Sequence, residues 1–94
     1  MTRKEKFLKL QAQTNPMPYL IDVDKAEGIY IWNKAGKRYM DMIAGVAVAN
    51  IGHRHPKVIE AIQHQIDKHL HVMVYGEYIQ DSQLALAENL ASIL

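Results

Sequence analysis

The 94-residue sequence has no cysteine, which leaves it without a disulfide framework or thiolate chemistry. Charge of one sign is also missing: the net charge is +1, so nothing favours binding to nucleic acid or to an acidic membrane. No apolar stretch reaches the roughly 18 residues that a membrane span needs. No secretory hydrophobic region follows the basic N-terminus. We therefore expect a cytoplasmic protein of at most one domain.

Motifs for catalysis are scarce as well. The two serines lack the G-x-S-x-G context of a hydrolase nucleophile. Gly45 and Gly52 fit neither G-x-G-x-x-G nor a P-loop, so no phosphate-binding loop is predicted. The carboxylates of Asp22, Asp24 and Asp41 fall on predicted strands or turns, at ordinary surface positions. The residues by themselves therefore predict no catalytic and no cofactor-binding side chain.

The five histidines are the one group that invites a metal site. His53 and His55 form an H-x-H pair, and His69 and His71 form another. Zinc sites usually need four ligands that include cysteine or carboxylate, and the two pairs fall in different predicted elements. We therefore predict no metal site and interpret His55 as a residue near the start of a helix.

The periodicity of the first half predicts one helix and three short strands. Residues 4–13 have helical spacing, which ends before the prolines at 16 and 18. Residues 19–24, 29–32 and 37–42 are predicted strands, and the turn from Asn33 to Gly36 suits a type I turn with a bulge. Apolar side chains lie on both faces of the middle strand, so both faces are expected to need cover.

The second half predicts two helices joined by a loop. Pro56 begins a helix expected to reach residue 69, with Ile59, Ile62 and Ile66 on one face. Residues 69–78 read as a loop, and Asp81 or Ser82 can cap a last helix whose apolar stripe is still running at residue 94. The fold class predicted is α+β: an N-terminal helix, short antiparallel strands with a hairpin, then two helices.

Residues 42–51 form an apolar run of small side chains that closes with Gly52 and Pro56. Such a segment is typical of a buried turn into a helix, yet the chain offers little surface to cover it. Together with the two-sided hairpin and the continuing stripe, this run indicates a piece of a longer chain or an obligate oligomer. A compact αβ domain whose dimer supplies the cover is the alternative.

Several of these segments, in order and with intact spacing over most of residues 16–70, resemble the N-terminal region of class III aminotransferases, the family that includes the acetylornithine, ornithine and 4-aminobutyrate enzymes. The matching stretches are Ala26-Glu27-Gly28-Ile29-Tyr30-Ile31-Trp32, Gly36-Lys37-Arg38-Tyr39-Met40-Asp41, Gly45, Gly52-His53-Arg54-His55-Pro56-Lys57-Val58, Ala61-Ile62 and Gln65.

The resemblance implies that residues 1–94 are the N-terminal segment of a longer, usually dimeric, fold-type I enzyme. This segment would be part of the small domain and the start of the lead-in to the cofactor domain. Such enzymes pass an amino group from a donor through pyridoxal 5'-phosphate to a 2-oxo acid in a ping-pong route. The Schiff-base lysine and phosphate-binding segment would lie beyond residue 94. Hence this piece alone is expected to be inactive and not to hold the cofactor.

The resemblance also implies three substrate-pocket residues: Gly45 and Val46 on the substrate side, and Tyr75 near the entrance. Ornithine aminotransferases tend to carry a tyrosine at the position of Val46, so the valine favours an acetylornithine-like or other ω-amino donor. The lysines at 34, 37, 57 and 68 do not match the family's catalytic lysine motif. A stand-alone dimerisation or binding module without catalysis is the alternative function.

Overall fold

A computed structural model describes all 94 residues and confirms the α+β class. The chain divides into two compact units, Met1–Glu60 and Ala61–Leu94. Its elements, in chain order, are α1 (Arg3–Leu10), β1 (Val23–Glu27), β2 (Tyr30–Asn33), β3 (Arg38–Met40), α2 (Ala44–Ala47), α3 (Pro56–Ile66) and α4 (Asp81–Ile93).

Helix α1 begins at a capping box that the sequence analysis did not predict. The Thr2 hydroxyl accepts from the Glu5 N–H at 3.2 Å, and the Glu5 carboxylate accepts from the Thr2 N–H at 2.6 Å. The helix ends at Leu10, earlier than predicted, because the backbone is already extended at Gln11. Arg3 reaches from its first turn to the carboxylate of Asp22 in a two-pronged contact of 2.6 and 3.0 Å.

The three strands form an antiparallel sheet in the order β1-β2-β3. The first strand was predicted at residues 19–24 but begins only at Val23, so that boundary was wrong. The backbone at Leu20 is left-handed, with a φ of 55°, which is incompatible with an extended strand. Ala26 and Glu27, which lie outside the predicted strands, instead belong to β1 and pair with Ile31 and Tyr30 of β2.

The turn between β2 and β3 matches its prediction. The Gly36 N–H donates to the Asn33 carbonyl at 2.9 Å, and Gly36 has a φ of 82° that suits glycine. The Asn33 side-chain oxygen also accepts from the N–H groups of Ala35 and Lys37, at 3.1 and 2.8 Å. This one asparagine therefore satisfies three donors in the turn, which explains why the hairpin could be read from the sequence.

One face of the hairpin covers itself, contrary to the prediction that both faces need cover from elsewhere. The rings of Tyr30 and Trp32 meet edge to face with centroids 6.0 Å apart. Lys25 places its ammonium 5.0 Å from the Trp32 ring centre, and the Arg38 guanidinium lies 4.2 Å from that of Tyr30. Long basic side chains from both flanking strands thus shield the aromatic pair while keeping their charges in water.

The second unit contains the end of α3, a loop and α4. Helix α3 ends at Ile66, about one turn before the predicted end, and the Gln65 amide donates to the His69 carbonyl at 3.0 Å just beyond it. Residues 69–78 contain neither helix nor strand, as predicted. Helix α4 has Gln80 as its N-cap with no side-chain hydrogen bond, so the predicted cap by Asp81 or Ser82 was wrong. Asp81 instead lies in the first turn, where its charge favours the helix dipole.

The chain has no buried core: no hydrophobic and no polar residue is buried. Large apolar side chains are exposed along residues 42–51, on both long helices and in the loop between them. The expectation that this chain lacks cover for its own apolar run therefore agrees with the structure. No helix has the length and apolarity that crossing a bilayer would require.

Candidate functional site

The two adjacent pocket residues predicted from the resemblance, Gly45 and Val46, lie on a turn with unusual backbone geometry. Four consecutive residues of α2, from Ala44 to Ala47, all have positive φ angles of 53–63°. Only the glycine adopts this conformation without cost; each alanine or valine there costs roughly 1–2 kcal/mol. Backbone strain of this kind persists only where surrounding contacts fix it, and such contacts concentrate at functional sites.

Local hydrogen bonds close the turn. The N–H groups of Val48 and Ala49 both donate to the Ala44 carbonyl, at 2.8 and 2.9 Å, and the Asn50 amide donates to the Ala47 carbonyl at 3.0 Å. A Cβ added to Gly45 would touch the Val48 side chain at 3.4 Å, an ordinary contact. The turn therefore points Val46 away from its own base, and 83% of that residue is exposed.

The base of the turn is held by a pair that the sequence analysis did not predict, Asp41 and His53. The His53 Nε2 and the Asp41 Oδ2 lie 2.6 Å apart, with only 8% of the aspartate side chain exposed and 22% of the histidine side chain. An ionised carboxylate only accepts, so Nε2 carries the proton. Asp41 Oδ1 accepts from the N–H groups of Ile43 and Ala44, both at 3.0 Å. We call this arrangement the Asp41–His53 clasp.

Electrostatics at the clasp follow from these contacts. The hydrogen bonds from the Ala44 N–H, from His53 and from the Ile43 N–H hold the pKa of Asp41 below its ordinary value. The Asp22 carboxylate behaves alike, because its hydrogen bonds with Arg3 lower its pKa. The prediction of an ordinary surface position was therefore wrong for Asp41, of whose side chain only 8% is exposed, whereas Asp22 lies at the surface in an exposed ion pair with Arg3.

The clasp is also joined to the hairpin. Gly28 and His53 exchange two backbone hydrogen bonds, at 2.9 and 2.7 Å, and the Asp41 N–H donates to the Ile29 carbonyl at 2.7 Å. Gly52 makes this approach possible, since a Cβ there would lie 3.2 Å from the Gly28 carbonyl oxygen. Asp41 and His53 are thus held next to each other because each is hydrogen-bonded to the connection between β1 and β2, at Ile29 and Gly28 respectively.

Two open clefts accompany these features. The one of about 200 Å³ lies beside the clasp and includes Ala44, Asn50 and Gly52 in its lining. The larger one, of about 380 Å³, lies between α1 and residues 20–22 and contains no predicted site residue. We regard the smaller cleft as the relevant one, because it adjoins the turn that carries Gly45 and Val46.

The remaining predicted residues fall elsewhere. Tyr75 belongs to the second unit, has a positive φ of 67° and is 88% exposed. His55 precedes α3 as predicted: its carbonyl accepts from the N–H groups of Val58 and Ile59, and its Nδ1 accepts from the Lys57 N–H at 3.2 Å. No three histidine or acidic side chains gather as a metal site would require.

Comparison with known proteins decides the family. The model of the family described as Aminotransferase class-III matches residues 11–94, nearly the whole chain. The chain belongs to the class-III aminotransferases. This membership confirms the family suggested by the hairpin residues and by the Gly52–Pro56 motif.

Individual relatives agree with this assignment. An ornithine aminotransferase of Staphylococcus carnosus is 45% identical over 71 residues, covering 72% of this chain and 18% of that protein. Among solved structures, acetylornithine aminotransferase from Elizabethkingia anophelis superposes with a TM-score of 0.81 at 26% identity, covering 97% of this chain and 23% of that one. A taurine:2-oxoglutarate aminotransferase from Bifidobacterium kashiwanohense, solved with pyridoxal phosphate and glutamate, gives a TM-score of 0.72 at 31% identity, covering 89% of this chain and 18% of that one. The chain thus spans about a fifth of the length of such relatives.

The class-III family is dependent on pyridoxal phosphate. A Schiff-base lysine needs an enclosed, desolvated position. In the sheet, Lys34 pairs with Asp24 at 3.6 Å in the open, and the exposed Lys25 and Lys37 place their ammonium groups over the half-buried rings of Trp32 and Tyr39. These residues do not fit the cofactor, and no chemical step is assigned to them.

Proposed function

We propose that this chain is the N-terminal segment of a pyridoxal-phosphate-dependent aminotransferase. That enzyme would move an amino group from an acetylornithine-like or other ω-amino donor to a 2-oxo acid. The main support for this proposal is the family match over residues 11–94, together with the strained turn that exposes Val46. In the complete enzyme the cofactor would supply the amino-group chemistry. This segment would shape the pocket and would take no part in the proton transfers.

The role proposed for the segment is to form one wall of the donor pocket. Gly45 supports this role because a residue without a side chain leaves room for a ligand. Val46 supports it because its short apolar side chain is exposed. We assign Tyr75 to the pocket entrance on the resemblance alone. A short valine in place of the tyrosine that ornithine enzymes tend to carry leaves space for an acylated donor.

We further propose that the exposed apolar surface is covered by the rest of the enzyme chain and by a second subunit, in the cytoplasm. The stand-alone binding module is the rival. The coding sequence downstream of Leu94 separates the two: a phosphate-binding segment and a distant lysine motif support the enzyme, whereas a stop codon there favours the binding module. The 94-residue chain should show no transamination in either case.

The substrate proposal is tested on the complete gene product, meaning this chain with whatever coding sequence flanks it. Acetylornithine and ornithine are assayed as donors with 2-oxoglutarate as acceptor. We expect a higher kcat/KM for acetylornithine, and we expect Val46→Tyr to reverse the preference by about tenfold, the scale of one pocket contact. Val48→Tyr, on an equally exposed neighbour, is the matched control. A wild-type preference for ornithine would contradict the donor assignment, and no turnover of any donor would contradict the function.

A further inference from the structure

The turn at residues 44–49, which carries Gly45 and Val46 and is called the pocket turn below, has no tertiary support beyond its base. The backbone-to-backbone hydrogen bonds of residues 44–49 stay within residues 43–52, and Val46 and Val48 point outward with 83% and 81% exposed. Left-handed backbone at four successive residues is not a conformation that such a segment selects by itself. Whatever fixes residues 41–44 therefore decides where the turn places Val46.

Asp41 is the residue that fixes them. Its two carboxylate oxygens accept from three donors: the N–H groups of Ile43 and Ala44 on Oδ1, and His53 Nε2 on Oδ2. The first two contacts set the entry into the turn. The third joins that entry to the exit at residue 53, across the 11 intervening residues of the chain.

The hairpin then supplies the fixed reference. His53 exchanges backbone hydrogen bonds with Gly28, and Asp41 donates to Ile29, so entry and exit are both attached to the connection between β1 and β2. A turn held at both ends and joined across its base moves as one body with the hairpin. Loss of the side-chain contact would leave the entry and exit attached singly and free to shift against each other.

We infer that Asp41 and His53 are positioning residues that set the placement of Gly45 and Val46, and thereby which amino donor the pocket accepts. The inference rests on the proposed aminotransferase function. It assigns the pair no contact with substrate and no proton transfer. Its effect should consequently appear in the KM for the donor, and in the discrimination between donors, more than in kcat.

The experiment measures steady-state kinetics of the complete gene product with two ω-amino donors of different size. Asp41→Ala and His53→Ala should each raise the donor KM by about tenfold, keep kcat within about threefold and reduce the discrimination between donors. The double variant should resemble Asp41→Ala alone, because both changes remove one shared contact.

Asp41→Asn is the conservative variant. Its amide oxygen can accept from Ile43 and Ala44, and its NH₂ group can donate to His53 Nε2 once the imidazole proton moves to Nδ1. The donor KM of Asp41→Asn should therefore lie close to the wild-type value, well below that of Asp41→Ala. Asp24→Ala removes an exposed hairpin carboxylate, paired only with Lys34, and should leave both parameters unchanged.

Three results would overturn the inference: unchanged KM and discrimination in both alanine variants, an equal fall of kcat for every donor, or failure of both variants to fold, which would make the pair a folding requirement only. Amide hydrogen exchange provides a readout that does not depend on turnover. Asp41→Ala should accelerate exchange at Ile43 and Ala44, and unchanged exchange there would count against the clasp. If the wild-type product transaminates no donor while exchange does accelerate, the proposed function fails and the clasp stands as geometry alone.

Discussion

Asp41 shows how much a single carboxylate contributes at the residue scale. Three hydrogen bonds stabilise its charged form in the folded chain, so its pKa is lower there than in the unfolded chain. A group of this kind stabilises the fold above its unfolded pKa, and the contribution is lost as the pH falls through the lower, folded value. Asp22, held by Arg3, adds in the same direction.

We therefore predict that the complete gene product loses stability as the pH falls below about 4, the ordinary range of an aspartate. Asp41→Asn should flatten that acid limb, because the neutral amide has no charge to lose. Thermal unfolding midpoints measured in steps from neutral to acidic pH test this. Asp24→Asn controls for the simple removal of one surface charge, and identical acid limbs in wild type and Asp41→Asn would disprove the assignment.

Sequence reasoning could reach some of these residues and not others. Asn33 and Gly36 were predictable, because the turn chemistry is encoded within four consecutive positions. The pairing of Asp41 with His53 was not, since it depends on how the chain folds back onto Gly28 rather than on any spacing motif. A histidine and an aspartate that flank one glycine-containing apolar run were the only available signal.

At the scale of elements, the sequence predicted correctly those features whose hydrogen bonds join residues close together in the chain. The hairpin and the start of α3 follow from turn residues and from Pro56, while the ends of α1 and α3 were placed too late because nothing in the periodicity marks them. The strand predicted at 19–24 failed for a backbone reason, the left-handed Leu20. The left-handed run of α2 was also missed, since its alanines and valine favour other conformations.

The junction between the hairpin and the turn at residues 44–49 yields a prediction at the scale of elements. Gly52→Ala would place a Cβ 3.2 Å from the Gly28 carbonyl oxygen at a φ of +88°. We expect it to cost about 2–3 kcal/mol and to weaken the Gly28–His53 bridge, through left-handed strain combined with the backbone clash. Faster amide exchange at Gly28 and His53 in the complete gene product would report it.

Gly36→Ala is the matched control for this prediction. Gly36 has a similar φ of +82°, but a Cβ there meets nothing within 4 Å. Its cost should be confined to the left-handed conformation, about 1 kcal/mol, and the bridge amides should keep their protection. Equal losses of stability and of amide protection in the two variants would show that the close approach to Gly28 is not the reason that position 52 requires glycine.

The whole chain presents an apolar surface that it cannot cover. No residue is buried, and large side chains from every element after β3 are exposed. Buried apolar area is the main favourable contribution to folding, at about 25 cal/mol per Å², and this chain obtains little of it alone. Its architecture therefore agrees with the proposal that further chain completes the fold.

We predict that the isolated 94-residue chain self-associates, because many of its large apolar side chains are exposed and none is buried, and such surfaces favour association. Static light scattering at rising concentration should give masses above that of the monomer. The complete gene product, in which those patches are covered, should instead give one discrete mass that does not change with concentration. A monodisperse monomer of the short chain at high concentration would contradict the prediction.

The consecutive order of the three strands has a consequence for biosynthesis. Every strand pairs with its neighbour in sequence, so the meander is complete once residue 40 has left the ribosome. Contacts between near neighbours form quickly, well before distant partners are synthesised. The cations over Tyr30 and Trp32 then keep one face of this early structure wetted. We therefore expect the three-stranded sheet to form early during translation, and the segments synthesised later to pack against it.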